Sequence, residues 1–297
     1  MNDYLPERLA APGFAYDKAL LARAIRDRLI LSAPAVFCDE THALHVRLGP
    51  YDGVISREDA ALGIAGRRTR DIAILSCVGR PVCFHVLGKN ADGTYRLSRV
   101  SAQQEALDHI LQQPPGTIVP AVVTGLAPFG AFADIGCGVP ALLPLKNICI
   151  SRLSHPGALL HEGQKIYAAL QTLDPVRHRV SISMKELLGT WQENAARFCP
   201  GQTVPGLVRS IQDYGAFIAL TPNLCGLAKP DPRLCEGCAV SVYIRSIEPE
   251  TLWIRLSVIS VLDEAPPMPA LCFSQTSGRL TIWQYGNHAY AKCLTIF

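Results

Sequence analysis

The sequence predicts a mainly β protein built from tandem five-stranded barrels that are joined by helices. The first observation behind this prediction is a repeat, because residues 116–142 and 201–227 align without a gap at a constant offset of 85. The second is that each copy contains short runs of β-forming residues separated by glycine-containing turns. The third is that a helical pattern precedes each copy. Tandem copies of a small unit are typical of multivalent binding proteins, so these observations favour binding over catalysis.

Composition limits the classes of protein that the chain can form. Its 297 residues are 49% apolar and 18% charged, which is typical of a globular chain with two or three domains. The formal net charge of +3 is small, so a nucleic-acid ligand would have to be held by stacking and local charges. No apolar run resembles a signal peptide or approaches the roughly 18 residues of a membrane span. We therefore expect a cytoplasmic protein without membrane contact.

Cysteine usage predicts free thiols. The chain has eleven cysteines, an odd number, which in a cytoplasmic protein favours buried thiols over a disulfide framework. Cys235 and Cys238 have the spacing of a zinc-binding pair, and Cys225 lies ten residues before them. A zinc site usually needs four ligands, and no second pair of this kind is present. We expect no cofactor, and metal binding by these three cysteines remains the alternative.

Each repeat contains five predicted strands. In the first copy the β-forming segments fall at residues 119–123, 129–135, 141–143, 165–170 and 179–183. Five strands in about 70 residues with glycine-rich turns suit a small closed barrel, of which the oligonucleotide-binding (OB) fold is the commonest type. We place the two barrels at residues 115–183 and 200–262.

Helical patterns connect the barrels. Ser101 followed by Gln104 predicts a linker helix over residues 101–114, which Pro114 and Pro115 end. Ser183 followed by Glu186 predicts a second linker helix over residues 184–199. Helices of 12 to 15 residues would be stiff spacers of about 20 Å.

The two ends of the chain also contain predicted elements. Residues 1–100 are expected to form a divergent barrel preceded by a helix from Asp17 to about Leu29. Leu21, Ala24, Ile25 and Leu29 share one face of that helix. That barrel shares short motifs with the repeats, since Arg96-Leu97-Ser98 corresponds to Arg255-Leu256-Ser257 of the second repeat. It lacks their aromatic-Gly-Ala-Phe strand. Residues 265–297 predict a hairpin tail with strands at 278–283 and 290–297. A lone hairpin is marginally stable, so we expect it to dock on a barrel.

The last predicted strand of the second repeat contains a candidate binding surface. Strand alternation sends Leu252, Ile254 and Leu256 to one face, and Trp253 and Arg255 to the other. An exposed ring beside a guanidinium group suits a single-stranded nucleic acid, because each base stack contributes about 1–3 kcal/mol. The alternative is that the tail or a neighbouring barrel covers Trp253.

The repeated aromatic-Gly-Ala-Phe motif contains the other candidate residues. It places Phe129 three residues before Phe132, and Tyr214 three residues before Phe217. A glycine within a strand marks a bulge or a close approach of two backbones, which lets both rings reach one surface. Two rings that point outward form a stacking platform, whereas two rings that point inward belong to the core. Repetition of the whole arrangement favours the platform.

These motifs resemble the S1 RNA-binding domain, the repeat of the large bacterial ribosomal protein S1 family. In the second copy the similarity runs through residues 201–204, 213–218, 226–227 and 254–257. In the first copy it includes Gly116, residues 129–132, residues 163–166 and residues 179–185. The segment 185–191 resembles the short, multi-repeat S1-like RNA-binding proteins of Gram-positive bacteria. The two good matches cover about half of the chain.

The resemblance implies S1-type OB barrels that bind single-stranded RNA on one face. The residues that match the family's binding surface are Phe129, Phe132 and Arg179 in the first copy, and Tyr214, Phe217, Lys229, Trp253 and Arg255 in the second. The family often has a histidine after Gly-Leu-Val. At this position the first copy has Pro144 and the second has Lys229. The first copy also has Ser181 where the second has Arg255. We therefore expect the second copy to bind RNA more tightly than the first.

Three classes of function follow from these observations. The favoured class is a single-stranded RNA-binding protein that acts in translation or mRNA handling without catalysis, with the small ribosomal subunit as a further expected partner. The alternative is a non-catalytic scaffold whose barrels dock on the ribosome or on an RNA-processing complex through protein contacts. An enzyme is not predicted, because the sequence shows no phosphate-binding glycine loop, no complete set of zinc ligands and no nucleophile elbow.

Overall fold

Three closed five-stranded β-barrels follow one another along the chain in the computed structural model, which describes residues 4–9, 15–64, 66, 69–263, 271–286 and 293–297. The first barrel comprises β1 Leu31–Cys38, β2 Leu44–Leu48, β3 Tyr51–Ile55, β4 Pro81–Lys89 and β5 Tyr95–Ser98. The second comprises β6 Ile118–Ala127, β7 Gly130–Asp134, β8 Pro140–Pro144, β9 Lys165–Asp174 and β10 Arg179–Ser183. The third comprises β11 Thr203–Gln212, β12 Gly215–Thr221, β13 Leu224–Ala228, β14 Ala239–Glu248 and β15 Trp253–Val261. The predicted mainly β fold of tandem barrels is confirmed.

All three barrels have the same connectivity. The first three strands form an antiparallel meander, and the fifth strand pairs parallel with the third and antiparallel with the fourth. The fourth strand closes the barrel by pairing antiparallel with the first. This closure removes exposed sheet edges and is the arrangement of OB-type barrels. The divergent N-terminal third is therefore a barrel of the same build as the two repeats.

Strand alternation decides which side chains fill each barrel. In β15, Ile254 and Leu256 are buried in the core of the third barrel, whereas Trp253 and Arg255 are exposed on its surface. Burying a side chain of this size stabilises the fold by about 1.5–3 kcal/mol, which fixes the register of the strand. The predicted inward and outward faces of this strand are confirmed.

Five α-helices lie in the described part of the chain: α1 Lys18–Asp27, α2 Arg57–Ala60, α3 Ile72–Leu75, α4 Arg99–Leu111 and α5 Trp191–Ala195. Helix α1 begins after Asp17, whose carboxylate accepts a hydrogen bond from the Leu20 backbone at 2.6 Å. Leu21 and Ala24 bury against the first barrel, while Ile25, which the sequence placed on the same face, is largely exposed. The apolar face of α1 is therefore narrower than predicted.

The linker between the first and second barrels is a helix, but it begins earlier than its sequence suggests. Ser98, the last residue of β5, caps α4 by accepting a hydrogen bond from the Ser101 backbone at 3.2 Å. The predicted cap at Ser101 is wrong, because strand β5 runs directly into the helix without a loop.

The predicted continuous helix over residues 184–199 is wrong. The segment forms a 3₁₀ turn at Lys185–Leu188 and then α5, with a break at Gly189, whose φ is +83°. The capping box lies at Thr190 and Glu193, where the Glu193 carboxylate accepts a hydrogen bond from the Thr190 backbone at 2.7 Å. Glycine in a left-handed conformation ends the first turn, so the link is compact and not a straight spacer.

The C-terminal tail forms the predicted hairpin in part. Its strands are β16 Ile282–Gln284 and β17 Leu294–Ile296, which pair antiparallel. Residues 287–292, which include the start of the predicted second strand and part of the expected turn, lie outside the described residues.

The tail contacts two barrels and not one. The Ile118 backbone of the second barrel donates a hydrogen bond to Gly278 at 2.9 Å, and Trp191 donates one to Tyr285 at 2.8 Å. Trp283 and Tyr285 are both buried within the core of the third barrel. The tail therefore connects the second barrel to the third.

Asn223 joins the second and third barrels directly. Its side-chain oxygen accepts a hydrogen bond from the Ile150 backbone at 2.9 Å, and its amide donates to Lys185 at 2.8 Å and to Gly189 at 2.9 Å. The asparagine is fully buried, so these bonds hold the loop after β8 against the third barrel.

Candidate nucleic-acid interface

The two repeats present aromatic pairs in matching geometry. The ring centroids of Phe129 and Phe132 lie 6.0 Å apart at an interplanar angle of 87°, and those of Tyr214 and Phe217 lie 6.1 Å apart at 90°. The exposed fractions are 60% for Phe129, 40% for Phe132 and 64% for Tyr214, and Phe217 is half-buried. The rings therefore point out of the barrels, as a surface for stacking requires.

The glycine of the motif permits a close approach of two strands. A Cβ atom added to Gly130 would lie 2.4 Å from the Leu143 carbonyl oxygen, and one added to Gly215 would lie 2.4 Å from that of Ala228. Any larger residue would push the second and third strands of either barrel apart. The register shift lies on the neighbouring strand, between Val123 and Gly125 in the second barrel, so the sequence correctly predicted a close approach but not the place of the bulge.

Pairing across the sheet puts two of the third-barrel candidates, Phe217 and Arg255, in one row. Phe217 lies opposite Leu227, and Leu227 lies opposite Arg255. In the second barrel the corresponding row contains Phe132, Leu142 and Ser181. The row therefore lacks a cation in the second barrel, where Ser181 occupies the place of Arg255.

A groove of about 710 Å³ runs along this face of the third barrel. Four of the five candidate residues of this barrel line it, namely Tyr214, Lys229, Trp253 and Arg255. Trp253 remains 38% exposed at the wall of the groove, and Lys229 is exposed. An aromatic wall with three cations, Lys229, Arg245 and Arg255, is suited to a polyanion that carries flat bases.

Acidic residues offset part of the positive charge of this groove. Arg255 Nε lies 3.1 Å from Glu248 Oε1, and both side chains are substantially exposed. Arg233 beside Asp231 lowers the pKa of that carboxyl to about 2, so Asp231 is ionised at neutral pH. Exposed ion pairs contribute little stability, so Arg255 can exchange its carboxylate partner for a phosphate at small cost.

The structure divides the second-barrel candidates between two places. Phe129 and Phe132 form the ring pair, whereas Arg179 lines a separate pocket of about 550 Å³ with Arg177 and His178. Leu62 and Thr69, which lie between β3 and β4 of the first barrel, also line this pocket, so the pocket faces the first barrel. Rings and cation therefore do not share a groove here, in contrast to the third barrel.

The first barrel carries a related face that the sequence did not reveal. His45 lies opposite Val54, which lies opposite Arg96, in the same strand positions as the row of the third barrel. Phe37 stacks on His45 with centroids 4.1 Å apart and an angle of 8°. Hydrogen bonds from Thr41 and His45 lower the pKa of Asp39, which holds the imidazole at 3.0 Å. The sequence signal for this face was the similarity of Arg96-Leu97-Ser98 to Arg255-Leu256-Ser257.

The three cysteines considered as metal ligands have other contacts. Cys225 Sγ lies 3.1 Å from Ser151 Oγ of the second barrel. The thiol of Cys238 accepts a hydrogen bond from the Cys235 backbone at 3.4 Å, and their interaction raises the pKa of Cys235. Among the residues that the structure describes, no cluster of three or more His, Cys, Asp or Glu side chains could hold a metal ion.

Comparison with known proteins identifies the domain type. The family model described as the S1 RNA binding domain matches residues 112–185, which span the second barrel. Small ribosomal subunit protein bS1 of Leuconostoc lactis is 32% identical over 163 residues, covering 51% of this chain and 38% of that protein. The bS1 homolog of Bacillus subtilis is 29% identical over 163 residues, covering 51% and 42% respectively. The bS1 protein of Rhizobium meliloti is 28% identical over 194 residues, covering 61% and 33%.

Similarity to solved structures is low along the full chain. A multidomain protein with nucleic acid binding domains from Streptococcus pneumoniae is 15% identical, with a TM-score of 0.27, covering 78% of this chain and 73% of that one. The chain spans less than half the length of the curated relatives named above. No helix in the described ranges is long and apolar enough to cross a membrane. The matched family model and the similarity to bS1 proteins show that the chain contains an S1 RNA binding domain, at residues 112–185.

Proposed function

We propose that this protein binds single-stranded RNA on the outward faces of its barrels and acts in translation or mRNA handling without catalysis. The observation that carries the proposal is the pair of exposed aromatic rings, which recurs with the same edge-to-face geometry in two barrels. In the third barrel the pair adjoins a groove that also contains Trp253, Lys229 and Arg255.

The geometry supports single strands over duplexes. A ring can stack only on a base that is unstacked from its neighbours, and such bases occur in single strands, loops and ends. Tyr214 and Trp253 line one groove, so successive bases can lie against aromatic surface while the phosphates meet Lys229 or Arg255. The third barrel is the principal site in this proposal, because the second barrel separates its cation from its rings.

The first barrel supplies a further contact in this proposal. Its exposed Phe37 forms a parallel stack with the half-buried His45, and Arg96 lies in the position that Arg255 has in the third barrel. The neighbouring Asp39 carboxylate repels phosphate, so we assign this face a weaker contribution than that of the third barrel.

The bound RNA is proposed to be mRNA, and the small ribosomal subunit a partner. The support is that curated relatives are named small ribosomal subunit protein bS1, which also favours a cytoplasmic location. Those relatives are more than twice as long as the matched part of this chain, so ribosome binding has to be tested on this protein itself.

One observation favours the scaffold alternative. The hairpin of the tail exposes three apolar side chains, Ile282, Leu294 and Ile296, and Ile282 pairs with Ile296 across the two strands. An exposed apolar patch of this kind is typical of a protein contact. A scaffold that lacks RNA contacts would use this patch and show no RNA affinity of its own.

A binding experiment separates the two functions. Equilibrium titration of a labelled single-stranded RNA and of the same sequence as a duplex should show preference for the single strand. The logarithm of the affinity should fall with the logarithm of salt concentration at a slope of about −2 to −4, because only a few phosphates are contacted. Equal affinity for the duplex, or no binding tighter than micromolar together with co-purification of a protein partner, would contradict the proposal.

A further inference from the structure

A second cavity of about 260 Å³ lies between the second and third barrels, directly beside the groove of the third barrel. Trp253 and Leu227 line both the groove and this junction cavity, so the two spaces meet at these side chains. Phe217, the candidate residue that is not in the groove, lines the junction cavity. The cavity is smaller than the about 300–1,000 Å³ of typical small-molecule pockets, which favours one unit of a longer ligand.

The charge of the junction cavity differs from that of the groove. Arg152 from the loop after β8 and Arg209 from β11 line it, and none of its described lining residues is acidic. In the groove, by contrast, Arg255 is paired with Glu248. Neither Arg152 nor Arg209 forms an ion pair with another described residue. The junction cavity is therefore lined by two arginines without an acidic residue, whereas the groove combines Lys229, Arg245 and Arg255 with the acidic Asp231 and Glu248.

Arg209 has an unsatisfied donor. Its Nε atom is buried and has no hydrogen-bond partner within the described structure. A buried polar atom without a partner costs about 1–3 kcal/mol and more when it is charged, so such atoms often mark the place of a ligand group. A phosphate oxygen is a suitable acceptor, because the planar guanidinium group binds phosphate through parallel hydrogen bonds.

The position of Arg152 relative to the third barrel is fixed by the barrel contact. Ile150, two residues earlier, donates its backbone hydrogen bond to Asn223, and the Ser151 hydroxyl lies 3.1 Å from Cys225 Sγ. Both bonds tie the loop of the second barrel to β13 or to the turn before it. The two arginines therefore come from different barrels but face one cavity in a defined arrangement.

We propose that the junction cavity holds one nucleotide of a bound RNA strand, with its phosphate between Arg152 and Arg209 and its base against Phe217. The strand passes from the groove over Trp253 into the cavity, so the binding site is shared by two barrels. This inference rests on the proposed RNA binding and adds a site that requires the barrels to be docked. The strand in this proposal extends from the groove of the third barrel to the junction with the second barrel.

The test uses the full chain and single-stranded RNA. Arg152→Ala and Arg209→Gln should each weaken binding about tenfold, as expected when a charged hydrogen bond worth about 1.5 kcal/mol is lost. Each should also reduce the magnitude of the salt slope by about 1, because one phosphate contact is removed. Arg197→Ala is the matched control, since this exposed arginine lines neither the groove nor the cavity and its loss removes the same charge.

The outcomes distinguish this inference from the function on which it depends. If the parent binds RNA and the two arginine variants match Arg197→Ala within twofold, the junction site is wrong and the proposed function stands. If the parent does not bind single-stranded RNA, both are wrong. Arg209→Lys keeps the positive charge but loses the planar guanidinium group and its parallel hydrogen bonds. Its RNA affinity should therefore lie between those of Arg209→Gln and the parent protein. Arg152 lies on an exposed loop position, so its variant remains informative even if Arg209→Gln fails to fold.

Discussion

Replacing Tyr214 by alanine tests the stacking surface of the third barrel with little effect on the fold. Tyr214 is 64% exposed, and its ring contacts Phe217 edge to face at 6.1 Å. Such an aromatic contact contributes about 0.5–1.5 kcal/mol, so the free energy of unfolding should fall by about 1 kcal/mol or less. Loss of a base stack should cost about 1–3 kcal/mol of binding free energy, which is roughly 5- to 150-fold in affinity.

Tryptophan fluorescence provides a local assay for this change. The chain has three tryptophans, of which Trp191 and Trp283 are buried at 2% and 7% exposure, whereas Trp253 lies at the groove. Quenching of the emission by added RNA therefore reports on Trp253 at the groove and on Trp191, which lines the junction cavity. The titration of Tyr214→Ala should reach the same quenching at saturation, but its midpoint should move to higher RNA concentration.

The control for this experiment is Tyr243→Ala. Tyr243 is also exposed on the third barrel, on β14, but it does not line the groove. Its truncation should leave the RNA affinity within about twofold of the parent value, since no base stack is lost. If Tyr214→Ala binds RNA as tightly as Tyr243→Ala while both remain folded, the aromatic pair of the third barrel is not a stacking surface.

Three further predictions address the other barrels and the packing. Phe129→Ala should weaken RNA binding less than the corresponding change in the third barrel, because Arg179 lines a pocket separate from that ring pair. An equal or larger loss in a filter-binding assay would contradict this ranking. Asn223→Ala should lower the free energy of unfolding by about 1–3 kcal/mol in urea titrations, because it leaves buried backbone groups unpaired. Burial raises the pKa of Cys149 to about 12, so its thiol stays protonated at about pH 8 and should resist iodoacetamide. The exposed Cys199 should be modified under the same conditions. Mass mapping that finds Cys149 labelled in the folded protein would show that its site is open.

The local chemistry of the strands could be predicted from the sequence. Alternation of apolar and polar residues placed Ile254 and Leu256 inside and Arg255 outside, because a strand exposes successive side chains on opposite faces. The glycine of the repeated motif predicted a close backbone approach, which the structure shows at Gly130 and Gly215. These features depend on neighbours along one or two strands, so short patterns specify them.

The linkers show where local patterns were insufficient. The serine and glutamate signal at Ser183 resembled a helix start, but that serine ends β10 and its hydroxyl bonds to Glu186 without capping a helix. The actual capping box lies seven residues later, at Thr190. Pairing of β10 with β9 outweighs the capping preference, since a strand inside a closed barrel gains hydrogen bonds along its length.

By itself, the sequence determined the repeated module, its β class and the side chains that face outward from β7, β12 and β15. Only the tertiary structure decided that the second and third barrels dock through Asn223, that the tail connects both, and that Arg152 and Arg209 come to face one cavity. It also revealed the stacked Phe37 and His45 on the first barrel. The physical reason is that inward and outward positions follow from the two-residue period of a strand, whereas contacts between modules depend on complementary surfaces formed by residues far apart in the chain.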